Sequence, residues 1–350
     1  MATVTSAVPA SRRFWLIAVV VLAVLCALFA GLPRAAAATP RAPTPSSDDD
    51  EGGSASLRKN LEAAASGYLT AKAKADASQK RQKLLVGQIA QTEDRLADLS
   101  GAAQKLGAVA YKGGLPDPLT VLANSGSIPQ LVERESFVDT ISRQTNETLR
   151  ELRDAQKRLA DQRKAVDKEL TTQQALEKTM AKRRTDAEKA LSDAGGGQSS
   201  AGFFSGTSAA AVPAARNSDG SWPTESCDIK DPTSDGCVTP RMLHVYEQAR
   251  DAGFTHYTHC FRQASFGEHP KGRACDFAAD VSGFGGVATG SSKLYGDRLA
   301  AWGVDNADRL AVLYVIWFKQ IWLPGVGWRT YTGDGTPAGN HQNHVHISVQ

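Results

Sequence analysis

Residues 268–277 read EHPKGRACDF and residues 340–349 read NHQNHVHISV. The first stretch sets His269 seven residues before Asp276, and the second sets His344 and His346 two apart. VHISV alternates as a strand does, so His344 and His346 are expected on one face of a sheet. Catalytic zinc sites commonly draw three protein ligands from His, Asp and Glu and keep a fourth position open. The two stretches together can supply such a set. One histidine of the pair can hold a metal while its neighbour handles a proton.

Working outward from these stretches, the last third of the chain reads as α+β. Thr239 followed by Pro240, with Met242, Leu243, Val245, Tyr246 and Ala249 behind them, predicts a helix capped by Thr239 with Pro240 in its first turn. Leu294 to Trp302 predicts another helix. The apolar run AVLYVIW ending at Trp317 is short and rich in β-branched residues, which predicts a buried strand. KQIW, GWRTY and HVHISV supply further strands. Trp317, Trp322 and Trp328 are expected in the core or along a groove wall.

The middle of the chain, residues 57–193, has no Cys or Trp and is dense in Ala, Leu, Lys, Arg, Glu, Asp and Gln. Leu85, Ile89, Leu96, Leu99, Ala103 and Leu106 form one stripe at helical spacing. Leu152, Leu159, Val166, Leu170, Met180, Ala187 and Leu191 form a second. Gly113, Gly114, Pro116, Pro118 and Pro129 interrupt any continuous rod between them. Two long helices folding back as an antiparallel coiled-coil hairpin is the simplest expectation, with a spacer that has no partner as the bland alternative.

Residues 39–56 (RAPTPSSDDDEGGS at their centre) and 194–217 are rich in small and polar residues and read as a flexible tether and linker. The C-terminal domain is thereby expected over 218–350. Arg12 and Arg13 precede the apolar stretch from Phe14 to Leu32, and small residues come after it at Ala35 to Ala38. This is the pattern of a signal peptide over 1–38, with an uncleaved anchor as the alternative. Apart from Cys26, the cysteines are Cys227, Cys237, Cys260 and Cys275, an even number that in an exported domain reads as disulfides with three possible connectivities. No CxxC spacing favours a cysteine-ligated zinc. The net charge of +3 is too small to argue for nucleic acid as a partner.

EHPKGRACD resembles the HxxGxAxD element of the zinc D-alanyl-D-alanine carboxypeptidase superfamily, which includes lysostaphin-type endopeptidases and the hedgehog signalling domain. HVHISV resembles the terminal HxH strand of the same group. HPKGRACDF, YVIWFKQIW, GWR and HVHIS together also resemble a C-terminal domain common in secreted actinobacterial proteins. The resemblance implies zinc bound by His269, Asp276 and His346, with His344 as general base; Glu268, beside His269 in sequence, is an alternative base. The carboxypeptidases usually carry a Glu three residues before the last ligand, where this chain has Asn343. His341 is a further candidate for lining the site. Arg262 in CFRQ resembles the arginine that steadies the substrate carbonyl in those enzymes. Of the three connectivities the expected one joins Cys227 to Cys237 around a short loop carrying Pro232 and Gly236, and Cys260 to Cys275, which would brace the zinc loop.

The insert between the two helical stripes resembles the coiled coils of exported peptidoglycan hydrolases coupled to the cell-division transporter. These resemblances imply an exported, cell-surface zinc peptidase, carboxypeptidase or endopeptidase, cutting peptidoglycan peptides, with a membrane division-complex partner on its coil. The alternative is a catalytically silent zinc-containing module that binds wall peptides or controls another hydrolase.

Overall fold

The computed structural model describes residues 52–112, 127–203 and 209–350. The expected signal peptide, most of the tether and the Gly/Pro-rich break between the helical stripes lie outside the described residues. Helix α1 spans Ala55–Tyr111 and α2 spans Ile128–Asp193. Ser54 starts α1 by accepting from the backbone N–H of Leu57 at 3.1 Å, which satisfies one of the donors a helix start leaves open. The two helices run antiparallel: Ser78 and Arg81 bond Glu169, while farther out Arg95 meets Glu151. Ala155, Ala187, Ala190 and Leu191 of α2 are buried, whereas Leu84, Val86, Ile128 and Phe137 are exposed. A two-helix layer can bury only one stripe of each helix, so apolar residues off that stripe stay in water. Among the described residues no helix is long and apolar enough to cross a membrane.

The C-terminal part holds β1 (Ile229–Lys230), β2 (Cys237–Val238), α3 (Pro240–Asp251), β3 (Thr258–His259), β4 (Ala274–Ala278), α4 (Gly290–Asp305), α5 (Ala307–Leu310), β5 (Val312–Trp317), β6 (Gln320–Leu323), β7 (Gly327–Thr330) and β8 (His344–Val349). Thr239 caps α3, its side chain accepting from the Met242 N–H at 3.2 Å. Apart from the β1–β2 pair, the strands form one six-stranded sheet in the order β3-β4-β8-β5-β6-β7, with every pairing antiparallel. The run VLYVIW is β5, buried throughout.

Alternation divides the sheet into two faces. Cys275, Phe277, Val345, Ile347, Val349, Val315 and Trp317 pack in one core with Met242 and Val245 of α3 and Leu299 and Trp302 of α4. Buried indoles need partners for their N–H groups. Trp302 donates to the Ala209 carbonyl at 3.0 Å and Trp317 to Asp297 at 2.8 Å. A register shift between Val312 and Tyr314 turns Leu313 away from that core. Leu313, Tyr314, Ile316, Ile321, Leu323 and Tyr331 instead meet the base of the hairpin, through Leu57, Leu61, Ala64, Ala65 and Leu69 of α1 and Ala187 and Leu191 of α2.

The stretch whose composition suggests a flexible linker is tied down where it is described. Gly197 donates to the Thr330 carbonyl and Thr330 back to that of Gln198, so the chain runs along the β7 edge. Ala211 donates to the Asn306 side chain and Ala214 to the Arg309 carbonyl. Backbone hydrogen bonding to an otherwise open strand edge overrides composition here. Disulfides join Cys227 to Cys237 and Cys260 to Cys275, as expected, and such bonds suit an oxidising, extracellular setting.

Leu61 is 1% exposed between hairpin and sheet. Leu61→Ala should cost about 2–5 kcal/mol by leaving a cavity at that junction. Denaturant unfolding followed by tryptophan fluorescence measures it, and a loss below about 1 kcal/mol would mean that the hairpin base contributes little to the fold.

Candidate metal centre

Register places the key side chains. Asp276 on β4 lies opposite His346 on β8, and His346 opposite Ile316 on β5, while Ala278 lies opposite His344. Directly opposed residues share a face, so Asp276, His344 and His346 stand on the face the hairpin covers. His269 arrives from a short 3-10 turn, His269–Lys271, closed by Gly272 at φ 66°. A Cβ on Gly272 would fall 2.3 Å from the Cys227 sulfur and 2.8 Å from the Cys237 carbonyl oxygen, so the turn needs glycine for space as well as for conformation.

His269, Asp276 and His346 bring one donor atom each within 4.8 Å of one another, a group that could hold a metal ion. His269 Nε2 is 3.1 Å from Asp276 Oδ2 and 3.2 Å from His346 Nδ1, and His346 Nδ1 is 2.9 Å from Asp276 Oδ1. Asp276 thus turns one oxygen to each histidine, and the three residues stand close enough for one donor from each to converge on a single ion. The far nitrogens are also engaged. His269 Nδ1 bonds the Cys260 carbonyl, and His346 Nε2 bonds Ser348 Oγ at 2.6 Å. Such outer partners fix which ring nitrogen is left for a metal. The Cys260–Cys275 bond secures the residue carrying that carbonyl, just past β3, to the strand carrying Asp276.

Asp276 is fully enclosed. Burial alone would raise its carboxyl, but the adjoining His269 and His344 rings and the Arg262 guanidinium outweigh burial and hold it well below the usual carboxylate range. Arg262 Nη1 donates to Asp276 Oδ2 at 2.6 Å, so the guanidinium pairs with the ligand carboxylate. His344 lies one register step along. Its Nδ1 is 2.7 Å from Asn343 Oδ1, and its Nε2 faces Asp276 Oδ1 at 3.5 Å. A proton on Nδ1 satisfies Asn343 and turns the Nε2 lone pair toward the site. Asn343 thereby orients His344, and its Nδ2 donates to the Gly285 carbonyl.

His341 sits at φ 51° in a tight turn and is wholly buried. Its ring lies 4.8 Å from that of His344 and 5.8 Å from that of His346. Neither of its ring nitrogens has a hydrogen-bond partner among the described residues. Burial, helped by the neighbouring imidazoles, depresses it well below the ordinary histidine value and keeps it neutral. Glu268 is also buried, but points away to Lys271 and Arg273, with the α1 residue Glu62 completing the cluster. Burial raises the Glu268 carboxyl to about 7, with the Glu62 charge adding to the rise and Arg273 and Lys271 opposing it.

The structure thus brings His269, Asp276, His346, His344, His341 and Arg262 together. Sequence reading missed three contributors. Ser348 was accessible to it, since it shares the alternating face of His346. The Cys260 carbonyl and Glu62 left no local signal, because only the tertiary fold carries them to the site.

Residues 234–342 match a family model described as VldE, C-terminal domain. The match covers less than half of the chain and includes His269, Asp276 and His341, but ends before His344 and His346. No curated protein and no solved structure matches the chain.

The full chain should bind about one divalent ion, as a three-donor site does. Replacing His269, Asp276 or His346 with Ala should remove most of that metal and leave the helical circular-dichroism signal in place. Metal content by mass spectrometry is the check, and full retention in His346→Ala would overturn the donor set.

Proposed function

We propose that the chain is an exported zinc peptidase that hydrolyses peptide bonds of peptidoglycan and is positioned by its helical hairpin. The observation that carries this reading is the triangle of His269, Asp276 and His346 with a separately oriented His344 beside it. A site for structural zinc alone would have no use for a fourth imidazole held by Asn343 with its other nitrogen turned toward the donors. The resemblance of the His/Asp and HxH elements to zinc peptidases supports the choice of metal and substrate, and the two disulfides support an extracellular setting.

Zinc in such a site supplies a Lewis acid for the scissile carbonyl and lowers the pKa of water. The chain's own residues do the rest. His344 Nε2 takes a proton from the attacking water and can return it to the leaving amine. Asn343 holds the ring in the tautomer that keeps Nε2 unprotonated. Arg262 keeps Asp276 ionised as a donor, and its charged guanidinium fork suits a developing oxyanion beside that carboxylate. His341 stays neutral and lines the same enclosure. The exposed Tyr111, Ile128, Val132 and Phe137, on the parts of the hairpin far from the sheet, support docking of a membrane division-complex partner there.

One observation favours the second reading, a silent wall-binding or regulatory module. His269, Asp276, His341, His344 and His346 are all at most 2% exposed, so substrate reaches them only if something above them moves. Turnover separates the two. Digestion of purified peptidoglycan by the zinc-loaded protein should release defined peptides identifiable by mass, and chelation should abolish the release. His344→Ala should keep the metal and lose turnover by ~10²-fold or more. Near-normal cleavage by that variant would remove His344 from the base role, and no cleavage by the zinc-loaded parent on several wall preparations would favour the silent module.

A further inference from the structure

Glu62 of α1 reaches across to the loop that delivers His269. Its carboxylate accepts from Lys271 Nζ at 2.7 Å and from Arg273 Nη2 at 2.5 Å. Both cations already have a partner on their own loop. Lys271 Nζ stands 3.1 Å from Glu268 Oε1, and Arg273 Nε donates to Glu268 Oε2 at 2.6 Å. Glu268 therefore suffices to hold Lys271 and Arg273 in place, and Glu62 is a second carboxylate brought in from about 200 residues away. Burial would raise the Glu62 carboxyl, but the hydrogen bonds and charges of Lys271 and Arg273 outweigh it and hold it ionised below its ordinary value. Take Glu62 away, and two cations face one carboxylate, which is an unfilled anion site.

The location gives the site its meaning. Lys271 and Arg273 come two and four residues after His269, so a carboxylate held by them sits on the loop that delivers that donor. On either side α1 is pinned. Arg58 stacks over Phe266 at 4.1 Å, and the Tyr331 hydroxyl donates to the Gly52 carbonyl at 2.7 Å, with the Tyr331 ring edge-on to His341. The opening turns of α1 thus cover the donor face, with Glu62 as their acidic contact. Lys271 and Glu62 keep side-chain exposures of 41% and 26%, a regime in which an ion pair adds little to stability and exchanges readily with a competing carboxylate.

On the basis of the peptidase reading, we propose that Lys271 and Arg273 form a carboxylate-recognition subsite for an acidic peptide ligand, and that Glu62 fills it in this structure as an internal competitor. The ligand class is a peptide bearing a free carboxylate near the bond presented to the metal centre. Binding such a peptide displaces the Glu62 side chain from Lys271 and Arg273, while Leu57 and Leu61 keep α1 docked on the sheet.

The test uses the full zinc-loaded chain and calorimetric titration with one probe, the stem peptide L-Ala-γ-D-Glu-L-Lys-D-Ala-D-Ala, with its carboxylates free or all converted to amides. Glu62→Gln keeps the shape and removes the charge. It should bind the free acid about tenfold more tightly than the parent does, in line with a charge-assisted hydrogen-bond pair, and leave the amide unchanged. Adding Lys271→Met should cancel that gain, and Lys271→Met alone should bind the acid more weakly than the parent. Thermal unfolding verifies that each variant is folded. An equal gain for acid and amide would show that the helix only blocks access, and an unchanged or undetectable acid affinity in Glu62→Gln would likewise overturn the subsite. Wall digestion by the same proteins separates the two readings. An acid-specific gain without cleavage sinks hydrolysis and leaves the subsite, whereas cleavage with no acid-specific gain sinks the subsite alone.

Discussion

The pairing of β4 with β8 is the constraint on which the rest depends. With Asp276 opposite His346 and Ala278 opposite His344, two donors and the proposed base fall on one face, and Cys275, Phe277, Val345 and Ile347 fall on the other. A slip of one residue in either strand would bury the carboxylate in the apolar core and expose the core residues instead. That cost fixes the register. The Cys260–Cys275 bond adds a covalent tie on the core side of the same strand, so the face that carries chemistry is held from behind by packing and by sulfur.

A sheet face carrying His344, His346 and Asp276 beside Tyr314, Ile316 and Leu323 is half ionisable and half apolar. Its apolar half needs cover, and the base of the hairpin provides it. The same contact lays the start of α1 beside the polar half, where Glu62 and Arg58 engage the His269 loop and Phe266. Packing and occlusion are thus consequences of one docking. The hairpin cannot bury Leu57 and Leu61 against the sheet without also closing over the donors.

Much of this was legible in the sequence because local rules carry it. The Thr239 cap, the VLYVIW strand and the HxH alternation each depend on neighbours within a few residues. The two helical stripes announced a hairpin for the same reason. The ordering of residues 197–200 along β7 was not legible, because strand-edge pairing there is set by a partner more than a hundred residues away. Glu62 was invisible in a region that reads as a solvated helical surface. The His269–Asp276–His346 group was half legible: spacing named the residues, while the hydrogen bonds of Cys260 and Ser348 that decide which nitrogens face inward come from the fold.

The arrangement is costly for a structure that had only to be stable. His341 is fully buried in a left-handed conformation that disfavours non-glycine residues, with neither ring nitrogen hydrogen-bonded among the described residues. An unsatisfied buried polar group of that kind costs about 1–3 kcal/mol, and an apolar side chain in its place would avoid the cost. Asp276 likewise stays ionised at full burial only because Arg262 and the imidazoles surround it. A strained backbone, an unsatisfied buried imidazole and a buried carboxylate gathered in one place are the kind of departure from local rules that functional sites tolerate. In this chain that place is the face beneath α1, and the strain gathers around the donors that fit one metal ion.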